Sequence, residues 1–180
     1  LYFLAIGFAF MFMEIAFIQK FVLFLAHPLY AVAVVLCAFL VFAALGSWIG
    51  GSRLAGRWQA TGKVTIAVIA LGTLSLFYLV MLPYLFQSLI HLPDAPKIFI
   101  SVALIAPLAM CMGVPFPTAM MRLAGINAEA IPWAWAINGF ASVVGAVLAP
   151  LLATHLGFVA VIILAVMIYA VACVALRRFA

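Results

Sequence analysis

Long apolar stretches separated by short polar segments account for almost the whole chain. Six of these stretches reach about 20 residues, which is the length that an α-helix needs to cross the hydrocarbon core of a bilayer. They run from Leu1 to Ala26, Leu29 to Gly50, Val64 to Phe86, Ile98 to Met121, Trp133 to Thr154 and Gly157 to Leu176. The pattern predicts an all-α integral membrane protein whose six transmembrane helices form a single domain over residues 1–180.

The composition favours the same class of protein. Of the 180 residues, 72% are apolar and 6% are charged, whereas about 25% of the residues in a soluble domain are charged. The net charge is +5, but no run of basic residues is long enough to follow a phosphate backbone, which excludes a nucleic-acid partner. Because Leu1 already lies inside an apolar stretch, we expect this chain to be part of a longer protein. Its apolar surface is expected to contact the lipid bilayer.

The placement of the basic residues predicts an orientation, since Lys and Arg accumulate on the cytoplasmic side of a membrane. If the loop from Gly51 to Lys63 is cytoplasmic, only Lys20 and Lys97 fall on the outer side. Both termini then lie in the cytoplasm, and a bacterial inner membrane is the expected location. The predicted cytoplasmic anchors are Arg53, Arg57, Lys63, Arg122, Arg177 and Arg178.

Glu14 is the only acidic residue deep inside a predicted span. Carboxyl groups at this depth are costly and usually face a partner or a wet cavity. One interpretation is a proton or cation site in which Gln19 and Asn138 are the polar partners of Glu14. The other is a structural glutamic acid that is protonated or hydrogen-bonded.

The fourth span contains residues that weaken a helix. Pro107 and the segment Gly113-Val114-Pro115-Phe116-Pro117 are expected to break it, with Gly113, Pro115 and Pro117 at the main interruption. Transporters build binding sites from such broken helices, although a kink near the end of a span would leave the same pattern.

Small residues at helical spacing predict where helices approach closely. Gly46 and Gly50 form a GxxxG pair, and Ala141, Gly145 and Ala149 form a second ridge. Such ridges allow helix backbones to pack tightly where no hydrophobic force drives helices together.

The sequence offers little enzymatic chemistry. His27, His91 and His155 all fall on the predicted outer side and are weak candidates for a metal site, because their spacing fits no ligand motif. No motif places a nucleophile beside a base or supplies a nucleotide-binding loop. We therefore predict that this segment is not an enzyme and that it holds no cofactor.

Four blocks in one order point to a family. They are Gly7 to Ile15 with Ile18 to Phe21, Leu25 to Ala31, Met112 to Pro117, and Pro132 to Gly139 with Ala141 to Val143. Together they resemble the C-terminal membrane region of large bacterial spermidine-synthase-like membrane proteins. That family carries an aminopropyltransferase-type, Rossmann-like domain between blocks of membrane helices. No such domain is present in this sequence, so the resemblance implies a non-enzymatic membrane domain that serves as an anchor or as a scaffold beside other membrane subunits or the rest of its parent chain.

A second resemblance supports an alternative function. The loop from Gly46 to Trp58 looks like the loop between spans two and three of major-facilitator transporters, since it keeps Gly50, Arg53, Gly56 and Arg57 but lacks the usual acid. A six-helix unit with both ends inside resembles half of such a bundle. The alternative is therefore half of a secondary transporter for a small solute, with a cation as one option.

Overall fold

The computed structural model describes residues 1–51 and 60–178. Within these ranges the elements are α1 (Tyr2–Leu25), α2 (Pro28–Gly51), α3 (Ala60–Leu89), α4 (Asp94–Gly113), α5 (Pro115–Ile126), a 3-10 turn (Ala128–Ala130), α6 (Ile131–Leu156) and α7 (Phe158–Arg178). The predicted anchors Arg53 and Arg57 lie outside the described residues, as does the side chain of Arg178.

The prediction of an all-α fold with six membrane spans is confirmed. Six helical segments of the described residues are long and apolar enough to cross a membrane, with α4 and α5 counting together as one. The third to fifth spans extend beyond their predicted limits, and α3, for example, continues from Phe86 to Leu89. In the sequence, polar residues mark the ends of these apolar stretches. In the structure, the helical hydrogen bonding continues through those polar residues.

Helix α1 lies at the centre of the bundle. It packs against α2, α6 and α7, and 56% of its span is buried, compared with 28% for α2 and 22% for α6. The buried rings of Phe17, Phe21 and Phe24 fill its C-terminal half. Side chains on α1 are therefore surrounded by protein, whereas many side chains on α2 and α6 face outward.

Glycines bring the backbones of α2 and α4 into direct contact. A Cβ atom at Gly46 would overlap the carbonyl group of Met110, and a Cβ atom at Gly113 would overlap the carbonyl group of Ala43. Gly50, one turn further along α2, faces the side chain of Val114. Only glycine fits at Gly46 and Gly113, because the two backbones leave no room for a side chain.

The second small-residue ridge lies between α6 and α1. Ala141, Gly145 and Ala149 are all buried. A Cβ atom at Gly145 would lie 3.2 Å from the Cβ atom of Met11, and one at Gly7 would lie 2.7 Å from the carbonyl oxygen of Asn138. The ridge therefore packs on the α1 surface that contains Gly7.

The fourth span changes direction at Val114, between α4 and α5. Val114 keeps right-handed helical dihedral angles (φ −72°, ψ −42°), so this junction is a kink in a continuous helical backbone. Contrary to the prediction, Pro107 does not break the helix, since α4 runs through it from Asp94 to Gly113. The Tyr78 hydroxyl donates a hydrogen bond of 2.7 Å to the carbonyl oxygen of Leu104, in the turn that precedes this proline. A neighbouring helix thus supplies a polar partner where proline weakens the backbone ladder, as is common in membrane helices.

Candidate functional site

A cavity of about 590 Å³ lies between α1, α2, α6 and the junction of α4 with α5. Its volume falls within the range of roughly 300–1,000 Å³ that is typical of small-molecule sites. Glu14, Asn138, Gly113, Pro115 and Pro117 all line it. The structure therefore brings together two groups of residues that were singled out separately in the sequence.

The carboxyl group of Glu14 is the most polar group in this cavity. Glu14 is 3% exposed, and within residues 1–51 and 60–178 no group donates a hydrogen bond to its side chain. Its position in the middle of α1, 12 residues from Tyr2, places it near the centre of the bilayer. An ionised carboxylate is an acceptor for several hydrogen bonds, so Glu14 is left with unused capacity that faces the cavity.

Helix α6 contributes two further polar side chains. The Asn138 amide donates a hydrogen bond of 3.0 Å to the carbonyl oxygen of Phe3 and so links α6 to α1. The hydroxyl of Ser142 donates a bond of 3.0 Å to the carbonyl oxygen of Asn138. These contacts fix the polar edge of the cavity, because both side chains are held by backbone groups.

Gln19, the other predicted partner of Glu14, does not line the cavity. Its Oε1 atom is buried and has no hydrogen-bond partner among the described residues. Five residues of α-helix turn the side chain by roughly 140° away from that of Glu14. The spacing therefore places Gln19 on another face of α1.

The kinked junction of α4 and α5 forms one end of the cavity. The Tyr2 hydroxyl donates a hydrogen bond of 2.8 Å to the carbonyl oxygen of Pro115, at the start of α5. This bond ties the N-terminal end of α1 to the interruption. Tyr2 was not singled out in the sequence, because nothing in its neighbourhood distinguishes it from other aromatic residues of the apolar stretches.

Four aromatic side chains complete the lining, namely those of Phe10, Phe116, Trp135 and Tyr169. The rings of Phe116 and Trp135 pack edge to face with centroids 4.7 Å apart. Aromatic faces attract cations through their quadrupole. Sequence reasoning missed this group, since the four residues come from α1, α5, α6 and α7 and only the fold brings them together.

Three basic residues of the described part of the chain lie together at another place, around the N-terminal end of α3. Lys63 Nζ donates to the carbonyl oxygen of Gly50 at 3.3 Å. Arg122 donates to Thr61 Oγ1 at 3.2 Å, and Arg177 donates to Thr65 Oγ1 at 3.3 Å. Three predicted anchors therefore lie together at one end of the bundle.

The histidines show no metal site. His27, His91 and His155 are exposed, and the described residues contain no group of three or more His, Cys, Asp or Glu side chains that could hold a metal ion. The cavity around Glu14 is therefore the candidate site from which a function is inferred. Comparison with protein-family models, with curated proteins and with solved structures found no match to this chain.

Proposed function

We propose that this chain binds a small organic cation inside the membrane, at the cavity around Glu14, in the manner of half of a secondary transporter. One observation carries the proposal: a buried carboxyl group without a hydrogen-bond partner faces an aromatic-lined cavity of about 590 Å³. The kink between α4 and α5, where Val114 keeps a right-handed helical backbone and its N–H bonds three residues back to Cys111, borders the same cavity.

The lining selects the charge of the solute. Glu14 offers a carboxylate, and the rings of Phe10, Phe116, Trp135 and Tyr169 line the same cavity. None of the described residues that line this cavity is Lys, Arg or His. An ammonium group could donate hydrogen bonds to the carboxylate while its methylene groups contact the rings, whereas the carboxylate would repel an anion.

Binding of benzylammonium to the purified protein in detergent tests the proposal by calorimetry. The parent protein is expected to bind this probe, and Glu14→Gln is expected to lose at least about tenfold in affinity, since a hydrogen bond to a charged group contributes roughly 1.5–3 kcal/mol. Glu129→Gln is the matched control, because it removes the same charge from an exposed residue that does not line the cavity.

Two results would contradict the proposal. One is a parent protein that does not bind benzylammonium. The other is equal affinity of the parent and Glu14→Gln, which would mean that the carboxyl group is structural.

We further propose that the chain is the membrane region of a larger spermidine-synthase-like protein and itself carries out no catalysis. The exposed surfaces of α2 and α6, whose spans are only 28% and 22% buried, support an additional role as an anchor or scaffold, because they are free to contact lipid or another membrane subunit. The full-length open reading frame tests the family: an encoded Rossmann-like domain is expected, and a reading frame without one would refute the assignment.

The proposed orientation has both termini in the cytoplasm of a bacterial cell. The clustering of Lys63, Arg122 and Arg177 at one end of the bundle supports it, because positively charged residues prefer the cytoplasmic boundary.

A further inference from the structure

The opening of the cavity lies within the membrane. Leu40 on α2 and Trp135 on α6 both line the cavity, and they are 63% and 59% exposed. Ala44, also in the lining, is exposed one turn from Leu40. Leu40 is at the middle of α2, about 17 Å of helix from either end. Trp135 is four residues from the start of α6, so the opening extends from the middle of the hydrocarbon toward one membrane boundary.

The opening exists because α2 and α6 are separate neighbours of α1. Both helices pack against α1, and in the described part of the chain they make no extensive contact with each other. Glu14, on α1, lies at the back of the gap between them. A molecule that moves through this gap passes Leu40, Ala44 and Trp135 before it reaches the carboxyl group.

We infer that the cavity receives its ligand from the bilayer, through the gap between α2 and α6, and that the ligand is an amphiphilic amine with an ammonium group on an alkyl chain. This inference rests on the proposed function and names the class of cation. The ammonium group binds Glu14, and the chain extends through the gap into the surrounding lipid.

The position of the opening favours an amphiphile over a water-soluble cation. Both kinds of ion carry the same ammonium charge into the gap, but a small hydrophilic cation stays in water and is not enriched in the bilayer beside the gap. An alkylammonium ion dissolves in the membrane and is enriched near the gap. The eight additional methylene groups of decylammonium, relative to ethylammonium, raise this enrichment by a factor on the order of 10⁴.

The test measures association rates by surface plasmon resonance on immobilised nanodiscs that contain the protein, with Glu14→Gln nanodiscs as the reference. Decylammonium and ethylammonium are the probes, since they share one head group. At equal aqueous concentration we expect decylammonium to associate at least about a hundredfold faster, because it is concentrated in the membrane.

A variant that fills the gap tests the route. Ala44→Phe is expected to slow the association of decylammonium by about tenfold or more, since the ring would occupy the opening. Ala33→Phe is the matched control, because Ala33 is an exposed residue of the same helix that does not line this cavity. If Ala44→Phe does not fold, Leu40→Trp places a large ring at the same opening.

The possible results separate the two proposals. If ethylammonium associates as fast as decylammonium, or if filling the gap has no effect on the rate, access from the bilayer is refuted while binding at Glu14 stands. If the parent and Glu14→Gln nanodiscs respond equally to decylammonium, the cation site itself is refuted.

Discussion

A methyl group added at Gly7 would enter a tight part of the contact between α1 and α6. A Cβ atom there would lie 2.7 Å from the carbonyl oxygen of Asn138 and 2.9 Å from the Cβ atom of Ala141. Carbon atoms in favourable contact are about 3.5–4.0 Å apart. Gly7→Ala therefore requires the two helices to separate by several tenths of an ångström or more, and overpacking of this kind costs about 1–3 kcal/mol.

The matched control for this substitution is Gly139→Ala on α6, where an added Cβ atom would have no neighbour within 4 Å. Both substitutions gain the same helix propensity, about 0.8–1.0 kcal/mol in a helix interior. The difference between the two variants therefore isolates the packing cost, and we expect Gly7→Ala to be less stable than Gly139→Ala by about 1–3 kcal/mol. Reversible unfolding in mixed detergent measures this difference. Equal free energies of unfolding would show that α1 and α6 are not packed as described.

Three further changes test other parts of the structure. Gly145→Leu should lower the melting temperature in detergent, because even an added Cβ atom would lie 3.2 Å from the Cβ atom of Met11. A variant that melts like the parent would show that the ridge of Ala141, Gly145 and Ala149 does not pack against α1. Tyr2→Phe should lower the free energy of unfolding by about 0.5–1.5 kcal/mol, because it loses the hydrogen bond to Pro115. Tyr30→Phe, at an exposed tyrosine, should leave it unchanged, and equal stabilities of the two variants would contradict the Tyr2 bond. A cysteine at position 57 should react with impermeant maleimide only from the cytoplasmic side, and labelling from outside would reverse the orientation.

Glu14 and Asn138 show what sequence reasoning can predict in a membrane protein. Polar residues are so rare in apolar spans that each of them is conspicuous, and two such residues on different helices are expected to share one interior. The same reasoning selected Gln19, which lies on another face of α1. Nearness in sequence was therefore a poorer guide to the cavity than polarity at a similar depth.

The aromatic lining and the exact break could not be predicted in the same way. The chain has 16 Phe, 4 Trp and 5 Tyr residues, and apolar spans contain no signal for which rings will converge on one cavity. Pro107 and Pro115 both remove a backbone donor, yet only the second lies at an interruption. The difference depends on tertiary surroundings, such as the Tyr78 hydroxyl near Pro107, which no local pattern records.

The reciprocal backbone contacts of Gly46 and Gly113 have a mechanical consequence. Two backbones that touch at two points, without intervening side chains, have no soft layer along which to slide or spread, so α2 and α4 form one stiff body. The Gly7 and Gly145 contacts make a second stiff body of α1 and α6. Displacement of one pair as a unit against the other would therefore change the volume of the cavity between them, and the kink at Val114 is a place where the chain can bend to permit it.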